Sequence, residues 1–284
     1  MTKPQKFKQL LTKPGSVLLP VVHDCLVAKQ AQSIGFEAVS VGGFAVSGVY
    51  HGLPDVGLIA LNEMVSAVKN IVSSVDIPVF ADADGGYGNA RNVAHCVRQY
   101  AAAGVASFFI EDQKHPKRCG HMDGKELISP AEMVDKIQAA VSARPDPNLT
   151  ICARTDAIAV EGFSKAIARA RTYVKAGADI IFIEAPQNLK QLQAIPRLIT
   201  QVPLLVNMLE GGKTPLRTKK ELENMGYKLI AYPVTTLFSA LWASQHALLH
   251  LRQTGRTDPA NMLTFSQYKQ LVELDKYICP ILFS

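Results

Sequence analysis

Two stretches of this 284-residue chain hold more reactive groups than packing would require. One is Glu111-Asp112-Gln113-Lys114-His115-Pro116-Lys117-Arg118-Cys119-Gly120-His121, with two carboxylates, three cations, a cysteine and two histidines. The other is Asp82-Ala83-Asp84, followed by the glycine-rich Gly85-Gly86-Tyr87-Gly88-Asn89. Asp82 and Asp84 share one strand face if a strand runs through both. With Glu111 they form a carboxylate cluster, which is repulsive unless a cation sits within it. Hard oxygen donors without a nearby His/Cys set point to Mg2+ or Mn2+. The alternative is that the aspartates cap the loop and pair with Arg91 or Lys117. Cys119 lies in a basic neighbourhood, which favours thiolate over thiol, so it is expected to titrate closer to neutrality than a free cysteine. The plainer alternative for this stretch is a solvated loop with an incidental cysteine. Arg154 suits a bidentate clamp on a substrate carboxylate, or an ion pair with a rim acid such as Glu184. Asn207 is placed to donate to the same carboxylate, and His121 to substrate oxygens.

These groups need elements to position them. Apolar runs of strand length occur at Val17–Val22, Glu37–Val41, Ile77–Ala81, Val105–Ile110, Leu149–Ala153, Asp179–Ile183, Val202–Val206 and Lys228–Ala231. Helical periodicity separates them, as at Cys25–Ile34, Ala90–Ala103, Ala131–Ala143, Ser164–Ala176, Leu189–Ile199 and Lys219–Met225. Alternation of this kind implies parallel pairing through crossovers, and unbroken apolar runs imply strands buried on both faces. Eight units predict an α/β fold, a (β/α)8 TIM-type barrel. A doubly wound sheet is disfavoured because no G-x-G-x-x-G follows the first strand. A short N-terminal helix, Lys6 to Leu11, precedes the barrel. A long helical segment, Leu237 to Arg252, and another over 264–279 follow it, and the tail after Pro280 is apolar. One domain spanning 1–284 accounts for the chain. In such a barrel the strand C-termini form the active face. Here they end in Asp24, Gly42-Gly43, Asp82-Ala83-Asp84, Glu111-Asp112, Arg154-Thr155-Asp156, Glu184, Asn207 with Glu210, and Tyr232-Pro233.

Composition narrows the function classes. Hydrophobic content of 48% supports a sizeable core. The net charge of +6 is scattered, with no basic run or aromatic interleaving, so nucleic acid is not an expected partner and a small anionic substrate is. Five cysteines without CxxC spacing imply neither a disulfide framework nor a zinc cluster, and a reducing, cytoplasmic compartment is expected. No signal peptide or membrane span is evident, and no membrane partner is expected.

Lys117-Arg118-Cys119-Gly120-His121, taken with Asp82–Gly88 and Gly52-Leu53-Pro54-Asp55, resembles the isocitrate lyase/phosphoenolpyruvate mutase superfamily, from about residue 6 to residue 275. The phrases Glu111–Met133 and Asn207–Pro215 are most similar to 2-methylisocitrate lyase, dimethylmalate lyase and carboxyphosphonoenolpyruvate phosphonomutase. The resemblance implies a Mg2+-dependent carbon–carbon lyase that cleaves a 2-hydroxy di- or tricarboxylic acid to pyruvate and a second acid. It implies Asp84 as direct metal ligand, Asp82 and Glu111 acting through bound waters, and Asp55 organising the site. Gly42 and Gly43 would offer backbone N–H groups to the pyruvate-like carboxylate. Arg154, Gly120, Glu184 and Asn207 would bind substrate, and Lys117 and His121 would assist on a mobile lid whose Cys119 is the general acid. Family members are usually tetramers in which a C-terminal helix packs on a neighbour, and Leu237 to Leu251 fits a swapped helix in a homotetramer. The chain departs from methylisocitrate lyases at Gly42-Gly43-Phe44, where they carry Ser-Gly-Gly, and at Ser40, where they carry tyrosine, so no residue is assigned as base. A Gly-Gly start resembles the superfamily's oxaloacetate decarboxylases, which lack the cysteine loop. Decarboxylase or phosphonomutase chemistry on the same platform is the alternative activity. Pro233 replaces a serine of oxaloacetate hydrolases, which speaks against that reaction.

Overall fold

The apolar runs conceal a period of two, and in the structure, a computed structural model describing residues 1–278, that period sorts side chains into two cores. The first half of the chain runs α1 (Lys3–Thr12), β1 (Val17–Pro20), α2 (Cys25–Ile34), β2 (Val39–Val41), α3 (Gly43–His51), α4 (Leu61–Ser74), β3 (Val79–Asp82), α5 (Ala90–Ala102) and β4 (Ser107–Glu111). The second half runs α6 (Pro130–Ala143), β5 (Thr150–Thr155), α7 (Ala157–Glu161), α8 (Phe163–Lys175), β6 (Ile180–Ile183), α9 (Leu189–Leu198), β7 (Leu204–Asn207), α10 (Lys219–Met225) and β8 (Leu229–Tyr232). Beyond the barrel lie α11 (Thr235–Thr254), α12 (Phe265–Leu271) and α13 (Asp275–Ile278). The expected apolar tail lies outside the described residues, as does Cys279.

All eight strands are parallel, in the order β1-β8-β7-β6-β5-β4-β3-β2, which is the predicted barrel. The ring closes between β1 and β2 only through the isolated bridge Val21↔Ser40 and a Val22 N–H donated to Ser40 O at 2.8 Å. Apart from β1, the strands begin one or two residues later than the apolar runs suggest. Leading residues such as Val105 and Leu149 are apolar because they pack beneath helices, and they precede the ladder. Conversely α1 starts earlier than expected, because Thr2 and Gln5 form a reciprocal capping box that spans Pro4.

Along each strand, outward residues such as Ala81, Phe108, Ile110, Ala153, Ile181 and Val206 pack under the helices. Inward residues Phe80, Phe109, Cys152, Phe182, Leu205 and Ala231 fill the barrel, closed at its base by Phe7 and Leu10 of α1. The rings of Phe7, Phe80, Phe109 and Phe182 stack or meet edge-on in series, each pair 5.9 Å apart. The next inward position above this aromatic floor is Asp82, Glu111, Arg154, Glu184 or Asn207. Periodicity alone therefore directs these five polar side chains to one face of the barrel. No described helix is long and apolar enough to cross a membrane.

Candidate active site

A cavity of about 280 Å3 opens above the aromatic floor. One side is charged, with Asp55, Asp82, Lys117, Arg154 and Glu184. The other is apolar, with Phe44, Leu209, Pro233, Val234 and Phe238, the two phenylalanines meeting edge-on at 6.3 Å. The loop over 113–127 lies across the opening and contributes Lys117, Arg118, Cys119, Gly120, His121 and Met122 to the lining.

The expected carboxylate cluster is drawn together only in part and not as strand geometry implied: Asp55 and Asp84 meet at Lys117, while Glu111 lies against Arg154. β3 ends at Asp82, and Asp84 takes a left-handed conformation (φ 47°), so the two do not share a strand face. Asp82 instead braces the turn, accepting the Asp84 N–H and the Gly43 N–H, both at 2.8 Å. Gly43 is therefore occupied by Asp82 here, correcting the expectation that its N–H faces a substrate carboxylate. Gly42 caps α3 and does border the cavity. The Lys117 ammonium sits 2.5 Å from Asp55 Oδ1 and 2.7 Å from Asp84 Oδ1, so pairing of an aspartate with Lys117 is realised. Arg91 makes no ion pair with Asp82 or Asp84 among the described residues.

One cation does not balance this cluster. Asp84 Oδ1 touches Lys117 without a hydrogen-bonding angle, and Glu111 Oε1 is buried with no partner. Burial, opposed by Lys117 and reinforced by Asp82, raises the Asp84 carboxyl to about 6, and burial also pushes Glu111 upward against Arg154. Orphaned, hard oxygen donors with surplus negative charge fit a divalent cation such as Mg2+. Among the described residues, no three His, Cys, Asp or Glu side chains already converge into a ready ligand set.

Arg154 is held by acids, chiefly one the sequence reading noted only as a strand end. Its Nε and Nη2 donate to Asp156 at 2.9 and 3.0 Å, a bidentate pair. Glu111, its register partner on β4, lies 3.2 Å from Nε, and Glu184 lies 3.4 Å from Nη2. The guanidinium rests over Phe109 and Phe182 at 5.5 and 5.2 Å. Burial disfavours charge on Glu184, but Arg154 and then His121 outweigh it and hold the carboxyl at about 2. Asn207 Nδ2 also donates to Glu184, at 3.2 Å. The ion-pair alternative for Arg154 is thus present, with the guanidinium still lining the cavity.

The loop expected to act as a lid is tethered over the cavity. The Gln113 side chain exchanges two hydrogen bonds with the Arg118 backbone, and Cys119 N–H donates to Asp55 O at 3.2 Å. His121 Nδ1 accepts the Lys213 N–H at 3.0 Å, which leaves the ring proton on Nε2, 3.3 Å from Glu184. His121 is therefore packed, not solvated. Gly120 has no room for a side chain: an added Cβ would overlap Arg154 Nη2 and lie 2.6 Å from Glu184 Cγ. Cys119 faces the cavity, but its thiol is raised by burial, which the His121 amide and Arg154 do not offset. This corrects the expected thiolate. Basic neighbours in sequence are not basic neighbours in space, because Lys117 points into the carboxylates and Arg118 outward. Asp24 likewise leaves the rim and caps α2 through the Val27 N–H.

Two further groups join the site without a role having been assigned to them from the sequence. Asp156 carried a usable signal, since it follows Arg154 by two positions at a strand end. Lys125 carried none: it is a loop lysine whose ammonium is buried against Gly120 O and, at 3.3 Å, Asp156 Oδ1.

Comparison with known proteins follows the same lines. Residues 7–252 match the family described as phosphoenolpyruvate phosphomutase. The chain is 42% identical to 2,3-dimethylmalate lyase of Eubacterium barkeri over 278 residues, 97% of this chain and 96% of that one. It is 46% identical to 2-methylisocitrate lyase of Aeropyrum pernix over 248 residues, 87% of this chain and 79% of that one. A crystal structure of a 2,3-dimethylmalate lyase superposes with a TM-score of 0.93 at 34% identity, covering 98% of this chain and 94% of the other.

Proposed function

The chain belongs to the phosphoenolpyruvate mutase/isocitrate lyase superfamily and is an enzyme of carbon–carbon cleavage. From that premise we propose that it cleaves a 2-hydroxy acid of the 2,3-dimethylmalate or 2-methylisocitrate type to pyruvate and a second carboxylic acid. The observation that carries this reading is Cys119, a thiol held protonated by burial and facing a cavity with one charged and one apolar side. A protonated thiol is what a general acid requires. The apolar side suits the alkyl substituents of such acids, and the charged side suits their carboxylates.

A general base takes the 2-hydroxyl proton, the C2–C3 bond breaks as C2 becomes a carbonyl, and its electron pair passes onto C3 and its carboxylate. Cys119 then delivers its proton to C3. Arg154 orients a substrate carboxylate, with Glu184, Asn207 and His121 fixing its fork, and the lid excludes water. Mg2+, or Mn2+, would be held by Asp84 together with Asp82, Glu111 and Asp55, and supplies Lewis-acid polarisation of the substrate oxygen when bound. The cysteine pattern supports a cytoplasmic enzyme. Exposed Phe238, Leu241, Trp242, Leu248 and Leu249 along α11 support a homotetramer in which that helix packs on a neighbour.

The test is pyruvate release from dimethylmalate, methylisocitrate and oxaloacetate, with Cys119→Ser alongside. Cleavage of an alkyl-substituted 2-hydroxy acid is expected, with Cys119→Ser still binding pyruvate and losing nearly all turnover. Absence of pyruvate from every acid would overturn the activity, and full turnover by the serine variant would overturn the role of Cys119.

A further inference from the structure

Lys125 is a buried ammonium beside the site to which the proposed chemistry gives no role. Its side chain is 1% exposed, and its partners lie on two separate bodies. One is the carbonyl of Gly120, on the lid. The other is Asp156 Oδ1 at 3.3 Å, on the barrel rim. The same Oδ1 accepts from Arg154 Nη2 at 3.0 Å, so lysine and arginine share one oxygen.

The two ends differ in rigidity. Asp156 is anchored from below: its N–H donates to Asp112 Oδ1 at 3.0 Å. Asp112 Oδ2 in turn accepts from the Thr155 hydroxyl and the Tyr173 hydroxyl, both at 2.7 Å, and from Arg169 at 3.3 Å. None of these contacts involves the loop over 113–127. Gly120, by contrast, sits on the loop, where its carbonyl accepts from Lys125. Lys125 itself rides on the returning arm of the lid, just before the Gln113↔Leu127 bridge and the Ile128 N–H donated to Asp112 O at 3.0 Å.

We propose that Lys125 is a positioning residue that reports lid closure to Arg154: with Gly120 O in place, the ammonium is fixed on Asp156 Oδ1 and sets the guanidinium fork that meets substrate. The proposal rests on the reading of this site as a lid-closing lyase. With the lid lifted, the ammonium loses one of its two partners, and a buried charge short of partners is costly. The lid is thereby drawn down onto an oriented arginine, and orientation and closure become one event. The competing role, an ion pair that only stabilises the fold, predicts a change in melting and nothing else.

The experiment compares Lys125→Met, Lys125→Gln and the exposed-loop control Lys114→Met with the native enzyme. Three readouts are taken: thermal melting, kcat and KM for pyruvate release, and the rate of tryptic nicking after Arg118 with and without pyruvate. For Lys125→Met, kcat is expected to fall about a hundredfold with KM little changed, as for a misplacement of catalytic geometry. Nicking should accelerate about tenfold and lose its protection by pyruvate, as an unlatched loop requires. Lys125→Gln, which keeps a donor for Gly120 O, is expected to show smaller changes in both, and Lys114→Met none. Lowered melting with native kcat and native nicking in both Lys125 variants would overturn the proposal. Should the native enzyme release no pyruvate from any acid, the lyase reading fails, while the nicking comparison still decides whether Lys125 latches the lid.

Discussion

Replacing Gly120 by alanine tests whether the closed lid seen here is the catalytic one. The backbone of Gly120 is not among the positive-φ positions, so alanine brings no conformational strain of its own. The cost is contact. In the closed position the methyl would overlap Arg154 Nη2 and lie 2.6 Å from Glu184 Cγ and 2.9 Å from its Cδ. Carbon atoms pack best at about 3.5–4.0 Å, so the shortfall is about 1 Å. Neither neighbour can move: Arg154 is locked by Asp156, and Glu184 is held by Arg154, Asn207 and the Ala185 N–H. The lid must therefore retreat by about 1 Å, carrying Cys119 with it, and a misplacement of that size costs roughly a hundredfold in rate. That corresponds to about 2.7 kcal/mol of transition-state stabilisation. Because the loop can retreat without unfolding the barrel, the melting temperature should hardly change. The assay is pyruvate release coupled to lactate dehydrogenase, with melting followed in parallel. A variant with kcat/KM within about threefold of the native enzyme would show that turnover does not use this closed geometry.

Other outcomes follow from the same contacts. Phe7→Ala empties a fully buried ring site stacked on Phe80 and is expected to lower stability by about 3–5 kcal/mol in urea unfolding, with native KM in the folded fraction. Burial raises the Cys119 thiol, so the neutral form persists as pH rises; iodoacetamide labelling of Cys119, followed by peptide mass, should have its midpoint above that of an ordinary thiol, and a midpoint below it would contradict the acid role. Dialysis against EDTA is expected to abolish pyruvate release and added Mg2+ to restore it; undiminished activity after rigorous chelation would remove the metal from the proposal.

Much of this was legible in one dimension. The eight apolar runs located every strand to within about two residues, because inward and outward faces of a buried strand are both apolar and only the ladder's start is hidden. The polar residues ending β3 to β7 were legible as a rim for the same reason: they continue the inward period past the aromatic floor. What failed depended on direction and not on order. Asp84 reaches the cluster by a left-handed turn, Gly43 spends its N–H on Asp82, and Cys119 is surrounded by burial where its sequence neighbours promised charge. Lys125 is the clearest miss, since nothing in a polar loop marks which lysine turns inward.

The ring of strands has one joint unlike the rest. Seven of its neighbouring pairs are continuous parallel ladders. The eighth, between β1 and β2, is stitched at Val21, Val22 and Ser40. Val21, Ser40 and Gly42 border the cavity on that joint, and Arg154 and Glu184 border it from the opposite wall. A substrate touching both walls therefore acts as a clasp across the weakest hoop of the barrel. Bound and free enzyme should differ most in amide exchange at Val22, because the ligand completes mechanically a ring that the backbone leaves barely fastened.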